Sequence, residues 1–128
     1  MIKVLAVVKN DIYINAIKNH WGCDQIQFME ISKNPHSTVD LIDKLKPDVV
    51  LMDIHWNQQS TGISGAELIC KIKSSSASPK IIGLTVAYER TVASHVSKLG
   101  VNDFFYRITD NAISELANCI QRVYGESA

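Results

Sequence analysis

A chain of 128 residues, 46% of them hydrophobic and 20% charged, is long enough to bury one core and too short for two comfortable domains. Thirteen basic side chains balance thirteen acidic ones and are scattered along the chain, which argues against direct binding of nucleic acid or another polyanion by these residues. Cys23, Cys70 and Cys119 are odd in number and widely spaced, a usage that suits reduced thiols in the cytoplasm better than disulfides or a zinc site, and no apolar run approaches a membrane span.

In chain order, strand and helix patterns alternate. Residues 2–8 read as a first strand, followed by a helical face of Ile12, Tyr13, Ala16, Ile17 and Trp21. Residues 26–31 form the second strand. Ser37-Thr38-Val39-Asp40 then resembles a helix start with an acid in its first turn, and Val39, Ile42 and Leu45 line its face. Pro47 precedes a third strand over 48–53; Leu68, Ile69 and Ile72 mark a third helix; Pro79 precedes a fourth strand over 80–85. Val92, Val96 and Leu99 give a fourth helix, residues 102–106 a fifth strand, and Ile113, Leu116, Ala117 and Ile120 a fifth helix. Five such units with right-handed crossovers predict an α/β fold, a doubly wound five-stranded parallel sheet with five helices on its two faces.

The reactive groups of such a sheet gather at the carboxyl ends of its strands. Those ends carry Val8-Lys9, Asp53 and Thr85, with Arg107 just beyond the fifth. Asp53 closes the run Val49-Val50-Leu51-Met52, a strand that reads as buried on both faces. An acid in that place points to chemistry. His20, His36, His55 and His95 show no ligand spacing, and no serine or cysteine triad is legible.

The set formed by the first strand's end at residues 8 and 9, Pro47-Asp48-Val49-Val50-Leu51-Met52-Asp53, Gly65-Ala66-Glu67-Leu68, Ile81-Ile82-Gly83-Leu84-Thr85 and Leu99-Gly100-Val101-Asn102-Asp103-Phe104 resembles the CheY-like receiver domains of bacterial two-component response regulators. The resemblance implies a flavodoxin-like sheet of order 2-1-3-4-5 and a phosphoryl group carried on an aspartate. It matches Asp53 to the phosphoacceptor, Thr85 to the switch hydroxyl, Phe104 to the switch aromatic and Arg107 to the lysine after the fifth strand. It implies Mg2+ as cofactor and a sensor histidine kinase or phosphotransfer protein as partner. Residues 112–126 resemble the last receiver helix and linker start of NarL/LuxR-type regulators. That places a receiver domain at 1–124 and the start of a linker at 125–128, with DNA reached only through an output domain outside this chain. A homodimer through the face of the fourth helix, fifth strand and fifth helix is expected as well.

The chain departs from the family where the metal would sit: the acid pair at the end of the first strand is replaced by Val8 and Lys9. Moving the register so that Asn10-Asp11 take those places would throw the first helical face out of line, and Asp11 is more simply a helix N-terminal residue; it is the remaining candidate for a metal contact beside Asp53. Attack of a carboxylate on a phosphoryl donor needs positive charge on the equatorial oxygens. Lys9 is a built-in cation able to approach Asp53, and Arg107 a planar clamp where the family has a point charge. Two readings result, a receiver phosphorylated weakly or without metal, and one locked in a single state; a salt-bridged acid is the poorer nucleophile, which favours the second.

The loop after Asp53 is longer than usual by roughly one helical turn and lacks the family's proline, so its polar residues 57–61 are expected to be mobile or partner-facing, with Trp56 shielding the pocket or reporting on its occupancy. Other classes fit less well. Asp53-Ile54-His55 is a faint match to the Asp-x-His of cobalamin-binding domains, but the motif falls on the third strand. A flavodoxin-type carrier or a dinucleotide enzyme needs a phosphate loop that Val8-Lys9-Asn10-Asp11 cannot form. The competing expectation is a phosphorylation-independent interaction or dimerisation module on the same fold.

Overall fold

A computed structural model of the chain describes residues 1–9, 25–54, 56, 58–75, 77–84, 94–95, 97–105 and 112–125. Strands β1 (Ile2–Val7), β2 (Ile26–Ser32), β3 (Val49–Asp53), β4 (Lys80–Leu84) and β5 (Asp103–Phe105) form one sheet of order β2-β1-β3-β4-β5. All four pairings are parallel, so the expected flavodoxin-like topology is the one observed. The described helices are α1 (Thr38–Leu45), a single turn α2 (Gln58–Thr61), α3 (Gly65–Lys73) and α4 (Ala112–Gly125), which answers to the fifth predicted helix. The first predicted helix lies outside the described residues, as does most of the fourth.

Alternation along the strands divides the core in two. Val4, Ala6 and Val8 share one face with Val49, Leu51, Ile82 and Leu84 and pack against Leu116, Ile120 and Val123 of α4. Leu5 and Val7 share the other with Val50, Met52 and Ile81, against Ile42 of α1 and Leu68, Ile69 and Ile72 of α3. β3 lies between β1 and β4 and is buried at every position, which is why its sequence is a continuous apolar run without polar alternation.

Local chemistry sets the helix starts. Asn34 Oδ1 accepts from His36 N at 2.9 Å and caps a 3-10 turn over Pro35–Ser37 that leads directly into α1. Ser64 Oγ accepts from Glu67 N at 3.2 Å, and its hydroxyl donates to Glu67 Oε1 at 3.4 Å, a side-chain cap on α3. β5 begins one residue later than predicted, after Asn102, whose Oδ1 accepts from Ile81 N at 2.9 Å and whose own N–H donates to Ile81 O at 2.9 Å; residue 106 lies outside the described residues.

Within the segment that follows Asp53, Gln58–Thr61 closes one helical turn. The His36 Nε2–H donates to the Thr61 carbonyl, and Thr61 Oγ1 donates to Ile63 O at 2.9 Å. Gly62 at φ +78° ends the turn, and Ile63, 1% exposed, anchors the chain in the core just before α3 begins. A histidine remote in sequence holds this loop, an interaction that no local pattern announces.

Candidate functional site

The carboxyl ends of β1 and β3 meet at the centre of the sheet. Val7 pairs with Met52, Asp53 pairs with Leu84 of β4, and the next backbone amide, Ile54 N, donates to Leu84 O at 3.2 Å. Asp53 is the one acidic side chain among the buried described residues, 4% exposed. Asp48, at the opposite end of β3, has a plain structural role: its Oδ2 accepts from Lys3 N at 2.9 Å. Burial of Asp53 at a strand's carboxyl end makes it the candidate for the site's reactive group, since an aspartate is seldom taken out of water without a specific reason.

Val8 and Lys9 diverge from the end of β1. Val8 is fully buried and continues the apolar face that packs on Leu116 and Ile120. Lys9 is exposed, and its Nζ stands over the Trp56 ring, 5.7 Å from the centroid. Trp56 is 5% exposed and packs with Val7, Met52 and Ile54, yet its indole Nε1 is buried without a hydrogen-bond partner among the described residues. Trp56 therefore belongs to the core beside the acid, and the ammonium of Lys9 rests against it.

Among the described residues the donor set does not fit a divalent cation. Magnesium takes hard oxygen ligands, usually one or two carboxylates with waters and phosphate. Among the described residues the pocket offers one carboxylate, an apolar side chain sealed in the core at Val8, and a cation at Lys9; no group of three or more His, Cys, Asp or Glu side chains is placed to hold a metal. Asp11, Thr85 and Arg107 lie outside the described residues.

Phe104 is half-buried against the same core as Trp56. A Cβ on Gly83 would lie 2.7 Å from Ile54 Cγ2 and 3.1 Å from a ring carbon of Phe104, so β4 needs glycine where the segment after Asp53 and the aromatic of β5 converge. Gly65 is similar: its Cβ would stand 2.2 Å from the Ile54 carbonyl oxygen, so α3 starts in direct contact with the peptide after Asp53.

Two further groups are described. A cavity of about 350 Å³ lined by Met1, Ile2, Gln25, Gln121 and Tyr124 opens at the amino end of β1, away from Asp53. On the outer side of β5, Arg122 pairs with Asp103 and Cys119 Sγ lies 3.6 Å from Asp103 Oδ2. Burial, the charge of Asp103 and the hydrogen bond to it push the Cys119 thiol up to about 11, with Arg122 pulling the other way. At pH 8 its thiolate is about 100-fold scarcer than that of an ordinary cysteine. Iodoacetamide is accordingly expected to modify exposed Cys70 well before buried Cys119, as peptide mass mapping would register; equal rates would contradict the described burial.

Comparison with known proteins agrees with this geometry. The profile of the response regulator receiver domain matches residues 5–117. No curated protein matches the sequence. Among solved structures, the response regulator domain of Thermotoga maritima CheB is similar with a TM-score of 0.82 at 20% identity, covering 100% of this chain and 99% of its own. A LuxR-family DNA-binding response regulator from Staphylococcus aureus gives 0.81 at 17% identity, covering 98% and 100%. The isolated receiver domain of RcsB from Salmonella enterica serovar Typhimurium, determined with the phosphomimetic BeF3−, gives 0.78 at 17% identity, covering 99% and 91%.

Proposed function

We propose, from the premise that this chain belongs to the response regulator receiver domain family, that Asp53 is its phosphoacceptor position and that replacement of the metal-binding acids by Val8 and Lys9 leaves phosphorylation weak or lost. Receiver domains act in two-component signalling by taking a phosphoryl group from a histidine kinase or another phosphodonor; they are not enzymes in the ordinary sense. The observation that carries the reading is the burial of Asp53 at the carboxyl end of β3, beside a β1 terminus that offers an alkyl group and an ammonium.

In-line transfer of a phosphoryl group from its donor to Asp53, with the donor atom leaving on the opposite side, needs the three equatorial oxygens of that group neutralised and held. Lys9 supplies one charge on a flexible stem, and Arg107, by position, a second, bidentate one; neither organises three oxygens as an octahedral metal does. Thr85 is assigned the switch hydroxyl and Phe104 the switch aromatic. The phosphodonor is a sensor histidine kinase or phosphotransfer protein. The receiver, residues 1–124, works in the cytoplasm as a homodimer through the face that includes β5 and α4, and reaches DNA only through an output domain joined by a linker starting at 125–128. No described helix is long and apolar enough to cross a membrane.

Acetyl phosphate, supplied with Mg2+ or with EDTA and followed by intact mass, tests this. The expected result is a small phosphorylated fraction that ignores Mg2+ and vanishes in Asp53→Ala. Complete, Mg2+-dependent phosphorylation, or mass added to Asp53→Ala, would overturn it. The alternative, a phosphorylation-independent interaction module, predicts no added mass under any condition and an oligomeric state unchanged by Asp53→Ala.

A further inference from the structure

The contact between Lys9 and Trp56 suggests how the Asp53 pocket is regulated, given the reading of Asp53 as the position that receives a phosphoryl group. We propose that Lys9 and Trp56 form a cation–aromatic latch beside Asp53, and that a tetrahedral phosphoryl oxyanion entering the pocket opens it by drawing the ammonium off the ring.

Three features of the site lead there. Lys9 Nζ lies 5.7 Å from the Trp56 centroid, inside the range of about 6 Å over which a ring face attracts a cation. Lys9 lies two residues beyond Val7, which pairs with Met52, so the backbone that carries the ammonium leaves β1 beside the strand that ends in Asp53, neighbouring backbones in a sheet being roughly 5 Å apart. Trp56 is 5% exposed while its Nε1 has no partner among the described residues, so among these residues apolar packing and the ammonium hold the indole, with no bond from its own donor. A buried donor in that state favours any movement that brings it to water or to an acceptor.

The magnitudes decide the direction. An exposed ammonium–ring contact is worth about two- to fivefold in an equilibrium. A charge-assisted hydrogen bond to an oxyanion is worth about ten- to a hundredfold. A phosphoryl group therefore outcompetes the indole for Lys9. Once the cation has left, the ring loses its outer contact and its unpartnered N–H gains from moving. Occupancy of the pocket is thereby transmitted to the core face that carries Ile54, Ile63 and Phe104, with no metal involved.

The test is a titration of the 15N-labelled chain with inorganic phosphate in EDTA, following the indole N–H signal of Trp56, assigned by its loss in Trp56→Phe. Wild type is expected to show a saturable shift of this signal and faster exchange of the indole proton with water. In Lys9→Met, exchange is fast from the start and phosphate moves the signal no further; Lys9→Arg keeps the response. Trp56→Leu binds phosphate about two- to fivefold more tightly, read on the Asp53 amide, because the ring no longer competes; a ring that merely props the site would weaken binding instead. An indole signal that stays still while the Asp53 amide shifts, a full response in Lys9→Met, or no signal moving at all would each overturn the latch. Because the measurement is non-covalent and metal-free, it can fail while Asp53 still accepts phosphate from acetyl phosphate, and it can succeed when Asp53 does not.

Discussion

Lys9→Asp is expected to raise the affinity of the pocket for Mg2+ by at least about tenfold and to make phosphorylation by acetyl phosphate depend on that metal. The substitution removes an ammonium and places a second carboxylate just beyond the end of β1, the strand that neighbours β3 and its terminal Asp53. At an effective dielectric near 20, two unit charges about 4 Å apart interact by about 4 kcal/mol, so reversing one charge beside an incoming cation outweighs any ordinary loss from side-chain ordering. Lys9 is exposed, and the change takes no buried side chain out of the core. Val8 is the wrong place for the same experiment: it is fully buried among apolar side chains, where an aspartate would bring an unpaired charge into the core. Isothermal titration with MgCl2, with Lys9→Met as comparator, separates the two contributions. Lys9→Met removes the repulsion without adding a ligand and should fall between wild type and Lys9→Asp. If Lys9→Asp binds Mg2+ no better than wild type, Lys9 is not what keeps the metal out.

Gly65→Ala is expected to destabilise the fold by about 2–3 kcal/mol, in the range of core overpacking. The added Cβ would stand 2.2 Å from the Ile54 oxygen and 3.1 Å from its carbonyl carbon, and both are backbone atoms that cannot swing aside. α3 would have to lift away from the chain after β3, and Leu68, Ile69 and Ile72, all fully buried, would lose contacts with it. The gain in helix propensity from glycine to alanine is at most about 1 kcal/mol and does not offset this. A melting temperature lower by roughly 10 °C, or the matching fall in urea midpoint, is the readout. Since Ile54 is the residue next to Asp53, the amide signals of Asp53 should shift as well. Wild-type stability in this variant would mean that α3 and the 53–54 peptide are not in contact.

Most of the sheet is legible along the chain. A buried parallel strand has to be apolar on both faces, so Val49-Val50-Leu51-Met52 stands out, and its closing Asp53 falls at the site by position alone. Helix starts are legible where side chains bond to nearby backbone, as at Ser64 and Glu67. The turn at 58–61 is not, because His36, more than twenty positions earlier, holds it through the Thr61 carbonyl. Gly65 is recognisable as part of a motif, but its necessity lies in the approach of the Ile54 carbonyl, a distance between two elements.

The alternation of strands and helices was therefore determined by the sequence alone, because backbone hydrogen bonding and apolar burial impose repeats of fixed period on any chain that folds this way; the lateral order of the strands, the match of Asp53 to a phosphoacceptor and the missing acids at Val8 and Lys9 are legible only through the resemblance to receiver domains. What the tertiary structure decided is where the two residues at the end of β1 go: Val8 into the core beneath α4, and the ammonium of Lys9 onto the ring of Trp56. Alternation at a strand's end sends neighbouring side chains to opposite faces, and which groups await them there depends on the packing of segments far apart in the sequence.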